Sequence, residues 1–337
     1  PAVVGYMAGL VDGIDVASAG ELKVALDAGT DPHEISFAGP GKREAELRQA
    51  AAAGILINIE SFREVELLAT LSQRLGQPAR VAVRVNPDFE LKSSGMKMGG
   101  GAKPFGVDTE QVPDLLQEIG RSRLAFEGFH LFAGAQNLKA EAIVEAQQKS
   151  YDLALRLAEH APGPVRTLNL GGGFGIPYFP GEQRLDLTPI AANLATLTER
   201  ATRDFHTAEL VIELGRYLVG EAGLYVSRVL DRKVSRGQLY LVTDGGLHHH
   251  LSASGNFGQV IRKNYPAAIG NRMSASEKEV ATVVGPLCTP LDLLADRMEL
   301  SKAEVGDLVV IYQSGAYGFT ASPQRFLSHP ACVEVLV

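Results

Sequence analysis

Residues 167–178 read TLNLGGGFGIPY and contain the feature around which the sequence is organised. A short strand-like run, Thr167–Leu170, ends in three consecutive glycines, Gly171–Gly173. Because glycine has no Cβ, such a backbone can adopt positive φ and turn several N–H groups toward one point, which is typical of a phosphate site. The spacing matches neither the dinucleotide fingerprint nor the P-loop. For a glycine triplet on its own, a tight turn without a ligand remains the alternative.

The composition narrows the class of protein. The chain has 337 residues, enough for two domains or for one large barrel with an appendage. A formal net charge of −7 and the lack of a basic stripe argue against a nucleic-acid partner. No run of about 18 apolar residues occurs, so the sequence predicts no membrane span. Two cysteines are too few for a disulfide framework, and we expect a reducing cytoplasm.

Strand-like and helix-like patterns alternate up to residue 222. Strands are predicted at 13–16, 35–37, 55–59, 81–85, 126–131, 167–170 and 210–214. Helices are predicted at 21–28, 43–53, 62–75, 112–119, 141–159 and 190–203. This alternation predicts a parallel sheet with right-handed crossovers, one repeat short of a closed (β/α)8 barrel. We therefore expect residues 1–222 to be an N-terminally truncated barrel domain whose first strand lies upstream of Pro1.

Two other regions depart from this alternation. The glycine-rich segment Asn86–Gly106 is longer than an ordinary connector, which predicts a functional or mobile loop. After residue 222 the sequence changes to short β-branched runs separated by turns, at 225–234, 239–243, 280–284, 308–312 and 333–337. Residues 223–337 are therefore predicted to form an antiparallel β domain.

In a (β/α)8 barrel, functional side chains lie at the C-terminal ends of the strands. The polar and glycine positions there are Asp15, Ser18, Glu60, Arg84, Asn86, His130, Gly171–Gly173, Glu213 and Arg216. An arginine close to a glycine nest would complete a phosphate clamp. A carboxylate on a neighbouring strand could hold a protonated ring nitrogen. This combination suits a phosphorylated heteroaromatic cofactor.

Seven ordered motifs indicate a family. They are DVASAGEL (15–22), VRVNPD (83–88), GFHLFAGAQ (128–136), LNLGGGFGIPY (168–178), ELGRYLV (213–219), GPLCTPLD (285–292) and GAYGF (315–319). In this order they resemble the pyridoxal-phosphate decarboxylases of the diaminopimelate and ornithine decarboxylase family, over essentially the whole chain. The branch associated with exosortase systems is the most similar. The resemblance implies an alanine-racemase-like barrel with a β domain, working as a homodimer with shared active sites.

The resemblance also implies which residues hold the cofactor, pyridoxal 5'-phosphate. Those assigned to its phosphate and the adjoining turn are Gly171, Gly172, Gly173, Gly215, Arg216 and Tyr317. Glu213 would pair with the pyridine nitrogen and keep it protonated, which makes the ring an electron sink. Asp15 and Arg84 would lie around the ring and the Schiff base.

The implied reaction removes the α-carboxylate of an amino acid or derivative through an external aldimine and a quinonoid. Cys288, supplied by the neighbouring subunit, would reprotonate Cα. Asp292, Thr289 and Tyr317 would lie on the substrate side. Cys332 lies in no motif and is interpreted as a small buried apolar side chain.

Three cofactor positions depart from the family pattern. The Schiff-base lysine ends the first barrel strand in the family, and no lysine of this sequence replaces it, so we expect it upstream of Pro1. Phe132 stands in place of the ring-stacking histidine and can still cover the ring face. Ala135 replaces a phosphate-binding serine, a loss of about 0.5–1.5 kcal/mol for one neutral hydrogen bond. His130, two residues before Phe132, is given no role.

A fourth departure concerns the substrate. Thr289, followed by Pro290, replaces an acid that meets a distal ammonium in diaminopimelate decarboxylases. We therefore expect an amino acid without a free distal amine, tethered to a carrier protein or otherwise acylated. An amino-acid racemase and a catalytically silent regulatory relative remain alternatives. The triplet His248–His250 is interpreted as a polar loop near the substrate entrance, and no metal is expected.

Overall fold

The computed structural model describes residues 1–89, 96–97, 99–206, 208–257, 259 and 261–337. The chain forms two units. The first contains residues 1–175, 185–214 and 336, and the second contains residues 176–184, 215–335 and 337. The boundary predicted after residue 222 falls inside the second unit.

The first unit is built from alternating strands and helices. Its strands are β1 (Ile14–Val16), β2 (Ile35–Phe37), β3 (Leu56–Ile59), β4 (Arg80–Asn86), β5 (Met96–Lys97), β6 (Val107–Asp108), β7 (Ala125–Leu131), β8 (Gly134–Ala135), β9 (Thr167–Gly172) and β10 (Glu209–Glu213). Its helices are α1 (Ala2–Met7), α2 (Ala19–Asp27), α3 (Glu44–Ala53), α4 (Phe62–Leu75), α5 (Val112–Arg121), α6 (Ala140–Ala158) and α7 (Thr188–Asp204).

One parallel sheet organises this unit. Its strands follow the order β1-β2-β3-β4-β7-β9-β10, and β6 pairs in addition with β4. The sheet is a nearly closed barrel, which confirms the predicted fold class. The strands are apolar because both faces are covered, as parallel sheets require. Ile57, Val81 and Val83 are fully buried beside Leu47 of α3 and Leu68 of α4.

The second unit contains a separate six-stranded sheet. After helix α8 (Gly215–Val219), its strands are β11 (Tyr225–Ser235), β12 (Gln238–Thr243), β13 (Ala267–Ile269), β14 (Lys278–Val284), β15 (Leu293–Ser301) and β16 (Leu308–Ile311). Their order is β13-β16-β11-β12-β14-β15. All these pairs are antiparallel except β12–β14, which is parallel. The core of this unit includes Val229, Leu241 and Val309.

Three segments differ from the sequence interpretation. β13 and β15 were not predicted, because β13 is only three residues long and charged residues interrupt the apolar run of β15. The predicted strand at 333–337 is wrong: these residues form no strand, and Val333 is 86% exposed. A β-branched composition favours a strand only where a neighbouring strand offers hydrogen bonds.

The glycine-rich loop predicted at Asn86–Gly106 is described in part. Residues 90–95 and 98 lie outside the described residues. Within the loop, β5 pairs antiparallel with β8, and β6 extends the barrel sheet beside β4. Across the described ranges of the chain, every helix is too short or too polar to cross a bilayer.

Candidate active site

The glycine triplet comprises the last two residues of strand β9 and the residue that follows it, and we call it the glycine turn. Gly171 has a φ of 70° and Gly173 a φ of 82°, conformations that favour glycine. A Cβ at Gly172 would lie 1.6 Å from the carbonyl oxygen of Glu213, and one at Gly173 would lie 2.1 Å from that of Gly134. Each glycine is therefore required, two by conformation and Gly172 by close approach of the neighbouring strand.

Asn169 connects this turn to Glu213. Its side-chain Oδ1 accepts the N–H of Gly171 at 2.8 Å, and its Nδ2 donates to Glu213 Oε1 at 2.8 Å. The same carboxylate oxygen lies 2.8 Å from Nε2 of the buried His130. Glu213 is therefore held by side chains from two other strands, and the Gly171 amide is engaged within the protein.

The electrostatic surroundings keep Glu213 ionised. Burial acts to raise its pKa, but His130, Asn169 and Arg84 together outweigh that effect and lower the pKa. A lowered pKa is the behaviour expected of a carboxylate that accepts hydrogen bonds near positive charge. This group is therefore an anionic acceptor inside the barrel.

Asp15 lies beside Glu213 and behaves differently. The Ser36 hydroxyl donates to Asp15 Oδ1. Although Asp15 keeps an exposed surface, desolvation by the protein around its carboxyl group, followed by the charge of Glu213, raises the pKa of Asp15 to about 6. Asn58 Nδ2 donates to the Ser36 hydroxyl at 3.3 Å and extends the network to β3. Asp15 and Glu213 thus form a carboxyl pair in which Glu213 holds the charge more readily.

Arg84 is fixed by a second buried network. Its guanidinium donates to Glu60 Oε1 at 2.9 Å and lies over the ring of Phe105, 5.1 Å from its centroid. Glu60 also accepts the backbone N–H groups of Gly39, at 2.6 Å, and Gly106, at 3.0 Å. The arginine is therefore positioned by an acid that also ties two loops together.

A buried ion pair, Lys42 with Glu64, holds the backbone on either side of Glu60's contacts in place. Lys42 Nζ pairs with Glu64 at 3.0 Å and donates to the carbonyl of Gly39 at 2.7 Å. Glu64 in turn accepts the backbone N–H of Glu60 at 2.8 Å. Both side chains of the pair are almost completely buried. Lys42 is consequently a structural cation, in keeping with the sequence interpretation that gave it no Schiff-base role.

Phe132 packs against the glycine turn. A Cβ at Gly171 would lie 3.0 Å from Cδ2 of the Phe132 ring and 2.6 Å from the Leu131 carbonyl oxygen. Phe132 is half-buried, so part of its ring is accessible. Ala135, at the predicted phosphate side, lies on the short strand β8. The predicted ring-covering role of Phe132 stays a prediction.

In the second unit, Arg216 and Tyr317, both predicted at the phosphate, contact each other, and their role there stays a prediction. The Arg216 guanidinium lies 4.8 Å from the ring centroid of Tyr317 and donates to the Tyr178 hydroxyl at 3.1 Å. Tyr317 has a φ of 58°, a strained conformation that is often found at functional positions. Gly215 begins α8, one residue before Arg216. The Arg216 guanidinium and the Tyr317 phenol are therefore close enough to each other to bind one phosphate group together.

Cys288 and Asp292 occupy one loop but differ in environment. Cys288 is exposed, whereas Asp292 is buried. The two Asp292 oxygens accept the backbone N–H groups of Leu247 at 2.6 Å and Leu287 at 2.8 Å. Burial raises the pKa of Asp292 in spite of these donors. Asp292 therefore anchors the loop that presents Cys288, and its predicted contact with substrate stays a prediction.

The histidine triplet is buried within the second unit. His249 Nε2 donates to the Pro330 carbonyl at 2.8 Å, and His249 Nδ1 lies 3.1 Å from the Tyr225 hydroxyl. His250 Nε2 lies 2.8 Å from the Ser314 hydroxyl. His248 stacks on His249 with ring centroids 3.9 Å apart. Burial lowers the pKa of both His248 and His250 to about 4. Among the described residues, no group of three or more metal-ligating side chains is placed to hold an ion.

Sequence interpretation missed part of the barrel network. His130, Asn169, Ser36 and Asn58 all lie on strands that are otherwise apolar, and each contacts another member of the network. A polar residue in the middle of a buried strand carries a desolvation cost that a hydrogen bond must offset. That signal, visible in TLNL and LINI, would have identified Asn169 and Asn58.

The donor set fits a phosphorylated pyridine. A protonated ring nitrogen needs an anionic acceptor, and Glu213 supplies one inside the barrel. Asn169 joins that acceptor to a glycine turn of the kind that holds phosphate groups. The barrel therefore supplies an anionic partner for a ring nitrogen beside a glycine turn in which the Gly171 N–H is already bonded to Asn169, and the predicted phosphate contacts stay a prediction.

Comparison with known proteins identifies the family. The family description "Pyridoxal-dependent decarboxylase, pyridoxal binding domain" matches residues 1–220. The chain therefore belongs to the pyridoxal-dependent decarboxylases, whose cofactor is pyridoxal phosphate.

Individual relatives differ in the substrates for which they are named. A decarboxylase of Niallia circulans, named for an L-glutamyl group on the BtrI acyl-carrier protein, is 40% identical over 332 residues, covering 96% of this chain and 77% of the relative. A Staphylococcus aureus decarboxylase, named for a hydroxybutanedioate carrying an L-alanin-3-ylcarbamoyl group, is 30% identical over 95% of this chain and 80% of its own length. A point variant of Helicobacter pylori diaminopimelate decarboxylase, solved with L-lysine, superposes with a TM-score of 0.86 at 28% identity, covering 98% of this chain and 80% of that structure.

Proposed function

We propose that the protein removes the α-carboxylate of an amino acid whose distal end is extended by an amide or thioester link, as in a carrier-tethered glutamyl group. The relatives from Niallia circulans and Staphylococcus aureus support this proposal, because both are named for substrates with an extended side chain. Thr289 and Pro290 also support it, since neither can pair with a distal ammonium. The assignment to the exosortase-associated branch is a further proposal that rests on the motifs alone.

The observation that carries the proposed chemistry is the environment of Glu213. Bound pyridoxal phosphate supplies an electron sink for the pair left behind when CO₂ departs. The Glu213 carboxylate, whose Oε1 is engaged by Asn169 and His130, is ionised and leaves its other oxygen to accept the N–H of a protonated ring. The uptake of electrons by the ring is most favourable while that nitrogen keeps its proton, and holding it there is the role we assign to Glu213.

We assign the proton delivery to Cys288. Its thiol is exposed on a loop whose position is fixed by the buried carboxylate of Asp292. The Sγ proton moves to Cα, and the thiolate is reprotonated from solvent before the next turnover. The exposure of Cys288 in this chain is compatible with its serving the active site of a second subunit in a homodimer.

The test is release of CO₂ from a panel of substrates by the purified holoenzyme. We expect a glutamyl thioester of a carrier protein or of pantetheine to be decarboxylated with a kcat/KM about 100-fold or more above that of free diaminopimelate, ornithine or glutamate. Efficient turnover of free diaminopimelate or ornithine, with the acylated substrates inert, would sink the substrate proposal. A holoenzyme that releases no CO₂ from any of them would favour the silent relative, and racemised substrate would favour the racemase.

A further inference from the structure

The second sheet carries a cavity that has no assigned role. One face of strands β11, β12 and β14 forms its floor, and the loop 285–293 forms its wall. Lys233 lies opposite Tyr240, and Tyr240 lies opposite Thr282, so these side chains share a face of the sheet. The cavity encloses about 510 Å³, within the range of small-molecule sites. We call it the sheet cavity.

The lining alternates apolar and hydrogen-bonding groups. Val242 and Val284 are adjacent on the floor and offer an apolar surface. Gln238 Nε2 donates to Thr282 Oγ1 at 2.8 Å, which orients the Gln238 amide beside this surface. Such a lining suits a ligand that itself alternates methyl groups with amides, rather than a wholly apolar chain or a compact ion.

The charges at the rim are unequal. Lys233 is exposed at the rim, and in the described part of the chain it has no carboxylate partner. Two acids also line the cavity: Asp296 is paired with Arg297 at 3.2 Å, and the oxygens of the buried Asp292 accept two backbone N–H groups. Lys233 is therefore the charge of the lining that is left without a partner, and it is available to a phosphate group.

The wall of the sheet cavity is the loop that presents Cys288. Leu287 and Thr289, the neighbours of Cys288 on both sides, line the cavity together with Pro290. Because Cys288 lies between two of these lining residues, a substrate protonated by Cys288 would have the sheet cavity beside it.

We infer that the sheet cavity binds the 4'-phosphopantetheine arm of a pantetheine-linked amino-acid substrate. Val242 and Val284 contact the dimethyl group, Gln238 bonds an amide, and Lys233 pairs with the phosphate. The inference rests on the proposed function, because it takes the extended substrate as given. The arm is shared by carrier proteins and coenzyme A, and the cavity recognises the chemistry that both have in common.

Binding of the arm itself tests the site independently of turnover. Calorimetric titration of the holoenzyme with 4'-phosphopantetheine should give a measurable Kd. Val242→Phe, which fills the floor, should weaken it about tenfold or more. Lys233→Glu should weaken it by a similar factor yet leave dephosphorylated pantetheine unaffected, because only the phosphate meets Lys233. Arg48→Glu, an exposed charge reversal on α3, is the matched control and should change neither.

Kinetics separate the inference from the proposed function. On a glutamyl-phosphopantetheine thioester, both variants should raise KM with little change in kcat, whereas Arg48→Glu should match the wild type on the thioester and on free amino acids. No binding of the arm by the wild type, or equal binding by wild type and variants, would overturn the inference even if the thioester is decarboxylated. If the wild type binds the arm and the variants bind it more weakly, but the thioester is not decarboxylated, the sheet cavity stands as the site of the arm and the proposed function is wrong.

Coenzyme A and carrier proteins both carry the arm, and they are distinguished by what is attached to it. Coenzyme A that binds more tightly than the arm alone assigns the cavity to coenzyme A thioesters. A carrier protein that binds more tightly than the arm assigns it to carrier-tethered substrates. Either result supports the cavity as the site of the arm, provided that Val242→Phe weakens both.

Discussion

The carboxyl groups of Asp15 and Glu213 act on each other through their charges although the two residues lie on the first and last strands of the barrel sheet. This interaction links the two ends of a sheet whose backbone pairing runs from β1 to β10 through five intervening strands. It also sets the protonation states of the pair, since the pKa of Asp15 rises to about 6 while that of Glu213 falls. The charge in the barrel is thereby concentrated on the acid that Asn169 and His130 hold in place.

Asp15 should make the stability of the cofactor-free protein depend on pH. Its pKa is raised from 3.8 to about 6 on folding, so its contribution is fully present below about pH 4 and is lost as pH rises through about 6. Asp15→Asn removes this contribution. The free energy of unfolding of the wild type, relative to Asp15→Asn, should therefore fall between pH 4 and pH 6.5, as urea titrations at each pH will show. A constant difference across that window would contradict the raised pKa.

Asn169→Ala should weaken cofactor binding. The substitution removes a donor to the ionised Glu213 and the acceptor of the Gly171 N–H, each at 2.8 Å. A hydrogen bond to a charged group is worth about 1.5–3 kcal/mol, so we expect the Kd for pyridoxal phosphate to rise about 10- to 100-fold. The measurement is a titration followed by cofactor absorbance.

Asn193→Ala is the control for this effect. Asn193 is also a buried asparagine, and it bonds Gln147 and Gln148 of helix α6 rather than any residue of the barrel network. It should lower thermal stability without changing the Kd. If both variants weaken cofactor binding equally, Asn169 acts through general stability and not through Glu213.

Gly172→Ala should destabilise the fold at the glycine turn. Its Cβ would lie 1.6 Å from the Glu213 carbonyl oxygen, so β9 and β10 must separate to admit one methyl group. Overpacking of this kind costs about 1–3 kcal/mol, and more where backbone is the obstacle. Differential scanning calorimetry should show a lower Tm, whereas Gly163→Ala, where the added Cβ meets open space, should leave it nearly unchanged. Equal melting temperatures would mean that the turn relaxes freely.

Lys42→Met should be strongly destabilising near neutral pH. It leaves Glu64 buried without its partner, and breaking a buried ion pair from one side costs about 3–5 kcal/mol. Burial already raises the pKa of Glu64, so protonation in mild acid should relieve the penalty. The free energy of unfolding of Lys42→Met should therefore fall further below that of the wild type at pH 8 than at pH 5. Lys23→Met, which removes an exposed ion pair with Asp27, should cost about 0.5 kcal/mol or less at both.

Mixed dimers should reveal whether active sites are shared. If Cys288 serves the neighbouring subunit, Cys288→Ala and Glu213→Ala each abolish activity alone, but one site of each heterodimer keeps both residues. When equal amounts of the two variants exchange subunits without unfolding, half of the dimers should be heterodimers, each with one complete site of its two. The mixture should therefore recover about a quarter of the wild-type activity. An absence of recovery, with exchange verified by native mass spectrometry, would place Cys288 in its own subunit's site.

The sequence predicted the barrel well because its periodic patterns are strong. Predicted and observed helices agree closely, as at α4, where the predicted range 62–75 is the observed range Phe62–Leu75. Glycine identified the turn at 171–173 because only a residue without Cβ fits there. These features depend on local backbone geometry, which a single sequence records directly.

What the sequence did not reveal depends on three-dimensional neighbours. The sequence gives His130 no role, yet its imidazole reaches Glu213 on another strand. The partner of Asp292 could not be foreseen either, because its two backbone donors come from loops 40 residues apart, at Leu247 and Leu287. The missed strand β15 pairs with β14 through bulges that break its alternation. Contacts at long range leave little trace in local composition.

The buried carboxylate of Asp292 has a consequence for engineering this chain. Asp292 fixes the base of the loop 285–293 by accepting two backbone N–H groups. These two hydrogen bonds involve no side chain from the middle of the loop. Pro290 is exposed, and Thr289 is partly exposed with its hydroxyl accepting the Leu291 N–H at 3.3 Å. We therefore expect exchanges at position 290, and exchanges at position 289 that keep a hydroxyl, to leave the thiol of Cys288 in place. A library restricted in this way would test whether substrate preference can be changed separately from the position of that thiol.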